Sequence, residues 1–235
     1  MCGRYTVTHN VEAIARRFDV AVPHIPIPPS HNVAPTAGVP IIAVEAGRRE
    51  MLYAQWGLVP FWARDPEIGG RLINARADTL GEKASFKYAF SRRRCLVPSD
   101  GFYEWRRDGS VKQPYYVRMR DSSLFAFAGL WETWESPDGS PLISCAIITV
   151  EPNELMAPIH ARMPAILKPE DEHTWLFGYD RDAAERRTRP TQSDLRLAQL
   201  LRPYPSDRME AYPVSRYVNS PANDSPQCIE PISLN

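Results

Sequence analysis

The sequence is dominated by short β-rich runs separated by turn residues, and this succession restricts the folds that the chain can adopt. The runs cover residues 39–45, 50–56, 95–98, 102–106, 115–119, 124–130 and 144–150. Residues 46–49, between the first two runs, indicate a hairpin. Many short strands with turns between them are typical of a barrel or a strongly curved sheet. We therefore predict an α+β fold, with a single domain over residues 1–235 built on a curved, barrel-like, mostly antiparallel β-sheet.

Short helices are predicted to flank this sheet. Asn10 can cap a first helix, because the apolar residues after it recur at i, i+3, i+4 and i+7. Helical patterns also cover residues 86–94, 170–177 and 193–201, and Ser193 is the expected N-cap of the last one.

Two further segments have distinctive compositions. Arg92-Arg93-Arg94 ends the second helical pattern, and we interpret it as a solvated, charged terminus that interacts favourably with the helix dipole. The C-terminal tail, from about residue 220 to residue 235, is rich in Pro, Asn and Ser and is predicted to be partly irregular. Just before it, Val214 and Val218 are predicted to lie in a last strand.

The composition argues against several classes of protein. The 28 basic residues balance the 28 acidic ones, so the total charge neither favours nor disfavours a nucleic-acid partner. No apolar run approaches a membrane span and the N-terminus lacks a signal-peptide pattern, which predicts an intracellular, cytoplasmic protein with no membrane partner. Cysteines stand singly at positions 2, 95, 145 and 228, so we expect reduced thiols, no metal and no cofactor.

Cys2, directly behind the initiator methionine, becomes the first residue if Met1 is trimmed. It then carries an α-amine and a thiol, which titrate at about 8 and about 8.5. The amine can condense with an aldehyde to an imine, and the thiol can close onto the same carbon as a thiazolidine. The same pair could cleave an acyl bond instead. On position alone, an incidental thiol in the first strand is the favoured interpretation.

Glu104 and His160 are candidates for proton transfer. Glu104 lies between Tyr103 and Trp105, and such a carboxyl group is either solvated and paired with Arg106 or an acid/base group whose pKa is raised by desolvation. The pattern leaves both interpretations open. His160 could shuttle a proton near neutral pH, although taken alone a structural role is favoured.

Polar and aromatic segments suggest a ligand surface. Asn74 and Arg76 share a face if their run is extended, and they could join Arg4 and Arg162 in binding a phosphate or sugar oxygen. Residues 56–62 contain three aromatic side chains with Gly and Pro. Such a loop is either buried packing or an exposed stacking surface, and its composition favours packing.

Six motifs occur in an order that closely resembles the SRAP family, the SOS-response-associated peptidases that crosslink to abasic sites in single-stranded DNA. The motifs are Cys2-Gly3-Arg4-Tyr5, Asn32-Val33-Ala34-Pro35-Thr36, Trp56-Gly57-Leu58-Val59-Pro60, Asn74-Ala75-Arg76, Gly101-Phe102-Tyr103-Glu104-Trp105 and His160-Ala161-Arg162-Met163-Pro164. The resemblance extends over nearly the whole chain.

The resemblance implies a role for each catalytic candidate. Cys2 would be the nucleophile that forms a thiazolidine with the open-chain deoxyribose aldehyde, and it could also remove residues that precede it. Glu104 would activate the amine and assist reversal, His160 would assist opening of the sugar ring, and Asn74 would hydrogen-bond the sugar. The implied partner is single-stranded DNA with an abasic site, bound by a monomer that associates with the nucleoid when the DNA is damaged.

The resemblance also implies a DNA-binding surface, in which arginines hold phosphates and aromatic side chains stack or wedge beside the missing base. Its expected members are Arg4, Asn32, Pro35, Trp56, Phe61, Trp62, Arg76 and Arg162.

Two other functions remain open at this point, and one residue departs from the family pattern. The alternatives are an N-terminal-cysteine peptidase or amidohydrolase, which requires turnover, and a non-covalent single-strand-binding module, in which Cys2 is incidental. The departure is Ala161, which stands where family members usually carry a polar or acidic residue. If that side chain tunes His160, ring opening or crosslink reversal would be slower here.

Overall fold

A computed structural model describes residues 2–24, 26–178 and 196–234. The predicted N-cap Ser193 and the start of its helix lie outside the described residues. Residues 196–198 are helical, as the pattern predicted for this part of the chain.

Short strands make up most of the regular structure, as predicted. They are β1 Tyr5–Val7, β2 Ser30–Val33, β3 Gly38–Glu45, β4 Arg48–Trp56, β5 Asn74–Arg76, β6 Arg94–Ser99, β7 Gly101–Asp108, β8 Val111–Met119, β9 Phe125–Glu135, β10 Pro141–Val150, β11 Met163–Pro164, β12 Ile166–Leu167 and β13 Met209–Pro213.

Five of these strands close into a barrel. Strands β4, β3, β6 and β9 are neighbours in antiparallel order, and the ring closes because β10 pairs antiparallel with β9 and parallel with β4. The residues of β10 from Ser144 to Val150 are all buried, which explains why this strand reads as a continuous apolar run without alternation. The predicted curved, barrel-like and mostly antiparallel sheet of an α+β protein is confirmed.

A second sheet, open at both edges, lies beside the barrel. Its strand order is β13-β8-β7-β1-β2, and all of its neighbours are antiparallel. Strand β1 pairs with β7 through Tyr5 and Phe102, and the Tyr103 N–H donates to the Arg4 carbonyl at 3.0 Å. This register brings the N-terminal segment alongside Glu104.

The helices are short and lie outside the barrel. They are α1 Val11–Phe18, α2 Lys87–Arg92 and α3 Pro169–Phe177. The predicted cap of α1 is confirmed, because the Asn10 side chain accepts a hydrogen bond from the Ala13 N–H at 2.9 Å. Among the described residues, no helix is both long and apolar enough to cross a membrane.

The interpretation of the triple arginine as a solvated helix end is wrong for Arg94. This residue begins β6, and its buried guanidinium donates to the carbonyl oxygens of Trp175, Phe90 and Ser91. Arg93 pairs with the buried Glu132 at 3.0 Å. Nothing in the run of three arginines indicated that the Arg94 side chain would be buried in the core.

The prediction of a last strand containing Val214 and Val218 is also wrong. The last strand is β13, Met209–Pro213, which pairs with β8. Val214 makes an isolated bridge to Pro231, and Val218 lies in the 3-10 helix Arg216–Asn219. The valines suggested a strand, but both side chains are buried against Tyr103 and its neighbours, which irregular backbone also allows.

Two glycines fix the loop that follows β4. Gly57 has a φ of +136°, and a Cβ on Gly69 would lie 2.6 Å from the Gly57 carbonyl oxygen. The loop therefore packs backbone against backbone with the 3-10 helix Pro66–Arg71.

We expect Gly69→Ala to lower the free energy of unfolding by about 1–3 kcal/mol, because the added methyl group forces two backbone segments apart. Gly70→Ala is the matched control, since a Cβ there has no atom within 4 Å. Urea denaturation of both variants tests this expectation. Equal midpoints would contradict it.

Candidate active site

Strand β10 forms the base of the candidate site and positions residues of its neighbouring strands. Beyond its pairing with β4, the strand pairs parallel with β5 through Ile147 and Asn74, and antiparallel with β11 through Val150 and Met163. Arg162 directly precedes β11, and its guanidinium donates to the Thr149 carbonyl oxygen at 2.6 Å. Strand β10 therefore positions both Asn74 and Arg162, which are far apart in sequence.

Cys2 is buried completely at the edge of this base. Its carbonyl oxygen accepts a hydrogen bond from the Asn74 amide at 2.8 Å, and its thiol points to the Arg4 carbonyl oxygen at 3.8 Å. Burial and then the charge of Glu104 raise the pKa of the Cys2 thiol. In this state the sulfur is held as a thiol, and forming its thiolate requires a nearby positive charge.

Glu104 lies on β7 and is only 2% exposed. Burial raises the pKa of its carboxyl group, so a neutral form is easier to populate here than in water. The carboxyl group influences both neighbours, because it raises the pKa of Cys2 and lies 4.0 Å from the Nδ1 atom of His160. Of the two environments that the sequence left open for this carboxyl group, the structure shows the desolvated one and not a solvated strand face.

His160 lies at the mouth of the site with 31% of its side chain exposed. The Arg162 N–H lies 3.0 Å from its Nδ1 atom and donates to it. The same Nδ1 atom lies 3.1 Å from the Arg162 carbonyl oxygen. The Arg162 backbone therefore contacts the ring through both its N–H and its carbonyl group and fixes the orientation of the ring.

Arg76 and Arg162 are brought together around Asp78. The Arg76 guanidinium binds the Asp78 carboxylate through two hydrogen bonds of 3.1 and 2.6 Å, and Arg162 approaches the same carboxylate at 4.0 Å. The Nε atom of Arg162 is buried and has no hydrogen-bond partner among the described residues. An unpaired buried donor is costly, so this pair is poised for an additional oxygen ligand.

Arg4 is bound elsewhere. Its guanidinium donates to the Asn32 side chain at 2.7 Å and to the carbonyl oxygens of Val218 and Asn219 at 3.0 and 3.3 Å. Asn32 is 4% exposed, and its amide also donates to three carbonyl oxygens of the C-terminal segment. The polar side-chain atoms of Asn32, a residue expected to contact DNA, are thus engaged in holding Arg4 and this segment.

The aromatic candidates divide into buried and exposed residues. Trp56 is completely buried, its ring lies edge-on to Tyr5 at 5.1 Å, and its indole N–H donates to the Ile73 carbonyl oxygen at 2.9 Å. Trp56 therefore has no exposed ring face in this structure for the stacking that the resemblance implied. Phe61 and Trp62 are 53% and 48% exposed, and they present an apolar surface to solvent.

Two more residues flank this region. Tyr88 on α2 packs against Phe61 with ring centroids 4.9 Å apart. Pro35 is half-buried in the turn after β2, next to Thr36, whose φ is +70°. The Thr36 N–H donates to the Trp56 carbonyl oxygen at 2.8 Å, so this turn is fixed against the end of β4.

A pocket of about 410 Å³ opens over Glu104 and His160. It is lined by Glu104, Trp105, Arg107, Lys112, His160 and Asn219. Sequence reasoning missed Arg107, Lys112 and Asn219 as site residues. The two arginines that follow Trp105 were a sequence signal for a basic site residue at Arg107. That Lys112 lies opposite Arg107 is revealed only by the pairing of β7 with β8.

No group of three or more metal-binding side chains occurs in the described part of the chain. The candidate site consists of a thiol, a carboxyl group, an imidazole, an amide and guanidinium groups. Such donors support nucleophilic and proton-transfer chemistry.

A closed β-barrel flanked by an open sheet, with a buried cysteine at the second position near a buried carboxyl group, defines the class of protein to which this fold and site belong. A family model described as SOS response associated peptidase (SRAP) matches residues 1–221. The chain belongs to the SRAP family, as the motifs predicted.

Similar proteins match most of this chain. The abasic site processing protein YoqW of Bacillus subtilis (strain 168) is 45% identical over 233 residues, which cover 98% of this chain and 99% of YoqW. The abasic site processing protein HMCES of Gallus gallus is 33% identical, with 88% of this chain and 67% of HMCES covered. A crystal structure of a Bacteroides thetaiotaomicron protein superposes with a TM-score of 0.82 at 29% identity, covering 99% and 100% of the two chains.

The raised pKa of Glu104 predicts how its replacement changes stability with pH. Protonated Glu104 stabilises the folded state fully below the unfolded pKa of about 4.3, and this stabilisation is lost as the pH rises through the higher folded pKa. Because the amide in Glu104→Gln is neutral throughout, we expect the Tm of this variant relative to the parent protein to increase from about pH 4 to about pH 8.

Thermal melts across this pH range test the expectation. Glu135→Gln, which removes an exposed carboxylate at the end of β9, measures the effect of losing a surface charge. A Tm difference for Glu104→Gln that stays constant, or that shrinks as the pH rises, would contradict a raised pKa.

Proposed function

We propose that this protein recognises abasic sites in single-stranded DNA and becomes covalently attached to them through Cys2. Two curated relatives carry the name abasic site processing protein. The observation that carries the proposal is the buried carboxyl group of Glu104, whose charge raises the pKa of the Cys2 thiol and which lies 4.0 Å from His160. A thiol, a carboxyl group and an imidazole in one region support the roles of nucleophile, acid/base group and second proton carrier.

The first step is condensation of the Cys2 amine with the open-chain deoxyribose aldehyde, after Met1 has been removed. The amine nitrogen adds to C1′, and loss of water from the carbinolamine gives an imine. His160 assists the preceding ring opening by proton transfer. Glu104 accepts the proton from the amine and returns it to the departing hydroxyl group, a task that a carboxyl group with a raised pKa performs well.

The second step closes the ring. The sulfur of Cys2 adds to the imine carbon and the nitrogen gains a proton, so that the thiazolidine product has the mass of protein plus DNA minus one water. Burial disfavours the Cys2 thiolate in the free protein. The protonated imine supplies a positive charge beside the sulfur, and this charge favours the thiolate at the moment when it is needed.

The same groups support reversal and peptide cleavage. Protonation of the thiazolidine by Glu104 would reopen the ring to the imine, and water would then release the aldehyde. An N-terminal nucleophile of this kind could also remove the residues that precede it, which gives the thiol-peptidase activity of the proposal.

DNA is held by charge and by stacking. Arg76 and Arg162 would bind a backbone phosphate, and Arg162 has the unpaired buried Nε donor for it. The exposed Phe61 and Trp62 would stack beside the missing base, with Pro35 next to the strand. The Asn74 side-chain oxygen is buried without a partner among the described residues, and it would accept a hydrogen bond from the sugar.

We expect Cys2→Ala to abolish a covalent adduct with a single-stranded oligonucleotide that carries one abasic site. Intact mass spectrometry should show, for the parent protein, loss of Met1 and then an adduct that lacks one water. Cys228→Ala is the matched control, because Cys228 is also fully buried with its thiol directed at a backbone carbonyl oxygen.

The outcomes separate the three functions. If parent protein that has lost Met1 still forms no adduct, the proposal is contradicted. Release of cleaved peptide with turnover would favour a hydrolase, and tight DNA binding without any adduct would favour a non-covalent binding module.

We also expect Asp78→Asn to tighten DNA binding by up to about fivefold, because the carboxylate occupies Arg76 and repels a phosphate. Fluorescence anisotropy with a reduced, non-reactive abasic oligonucleotide measures this change. Asp207→Asn, an exposed aspartate in the 3-10 helix Ser206–Arg208, controls for the change in total charge. Equal effects of the two substitutions would argue against a specific competition at Arg76.

A further inference from the structure

The pocket over Glu104 and His160 has a basic rim that the chemistry at Cys2 does not use. Arg107 on β7 lies directly opposite Lys112 on β8 in the antiparallel register. Both side chains are exposed and line the same pocket as Glu104 and His160. Two long cationic side chains therefore converge at its entrance.

This arrangement has a cost in the free protein. Like charges directly opposite each other on neighbouring strands are destabilising. Neither Arg107 nor Lys112 has a hydrogen bond or an ion pair with any side chain that the structure describes. An anion placed between the two side chains would relieve this repulsion and receive charge-assisted hydrogen bonds from both.

Another part of the pocket lining is held by hydrogen bonds. The Trp105 indole N–H donates to the Asn219 side chain at 2.9 Å, and Arg4 donates to the Asn219 carbonyl oxygen at 3.3 Å. Asn219 belongs to the 3-10 helix Arg216–Asn219, so the C-terminal segment forms part of the pocket. The lining thus combines an aromatic ring and an amide, fixed to each other, with two cationic side chains.

We infer that Arg107 and Lys112 together bind the phosphate attached to the abasic deoxyribose, with the sugar lying between this rim and the Glu104–His160 pair. This inference rests on the proposed function. An abasic nucleotide presents only a sugar and phosphates, so a polar pocket with a cationic entrance matches its chemistry. Arg76 and Arg162 do not line this pocket, and they hold a separate point of the strand.

The phosphate held by Arg107 and Lys112 and the phosphate held by Arg76 and Arg162 would together determine the position of the sugar along the strand. A single contact lets the strand slide by one nucleotide, whereas two contacts fix which deoxyribose reaches Cys2. Arg107 and Lys112 therefore act as positioning residues, since they hold the sugar in place while Cys2 and Glu104 carry out the bond changes.

The first test measures binding of a reduced, non-reactive abasic oligonucleotide by fluorescence anisotropy at several salt concentrations. We expect Arg107→Gln/Lys112→Gln to weaken binding by about tenfold and to reduce the salt slope by about 0.7, the value for one phosphate of a single strand. Arg16→Gln/Arg48→Gln removes two exposed charges outside the pocket and should leave the slope unchanged. Equal slopes for the two double variants would overturn the inference.

The second test identifies the phosphate. One uncharged methylphosphonate is placed on the 3′ side or on the 5′ side of the abasic site. At one of these positions it should weaken binding by the parent protein about as much as the double substitution does, and it should have no further effect on Arg107→Gln/Lys112→Gln. Additive effects at both positions would show that the rim does not hold this phosphate.

The crosslinking assay keeps the two proposals apart. If the parent protein forms the Cys2 adduct while the rim variant keeps the parent affinity and slope, the rim inference fails and the proposed function stands. If the parent protein with a free Cys2 forms no adduct, the proposed function fails, and the sugar position assigned here fails with it.

Discussion

The structure depends on hydrogen bonding along both edges of one buried strand. On one edge, β10 pairs first with β4 and then with β5, and on the other it pairs first with β9 and then with β11. The first pairing on each edge closes the barrel, and the second carries Asn74, Arg76 and Arg162 into the site. Because the same ladder serves both purposes, the site residues are held as firmly as the core itself.

Burial changes the acid–base properties of Cys2 and Glu104, and it also lowers the stability of the folded state. Cys2 and Glu104 are placed where water is excluded, and this exclusion raises the pKa of both groups. The Cys2 thiol is neutral in this state, whereas Glu104 carries a charge whenever it is deprotonated, so the protein loses stability by burying an ionisable carboxyl group there. The closed barrel next to them provides the rigid, well-packed support that tolerates this loss.

Much of the fold could be predicted from the sequence, since strand runs, turn residues and the Asn10 cap are local signals. The site was harder to predict from the sequence, because residue patterns do not reveal which face of an element meets the core. Trp56 and Phe61 occur in one aromatic loop, yet one is fully buried and the other is exposed. Arg94 and Asn32 looked like surface residues, but each satisfies distant backbone carbonyl groups. Cys2, Glu104 and His160 were linked beforehand only through the family resemblance.

The location of β1 has a mechanical consequence. A motor that pulled on DNA attached at Cys2 would load the protein through this strand, which is three residues long and lies between β7 and β2 in the open sheet. None of the five barrel strands would carry that force directly. Under tension, the N-terminal strand would peel away first while the barrel stayed closed, so the tether would lengthen before the folded body gave way.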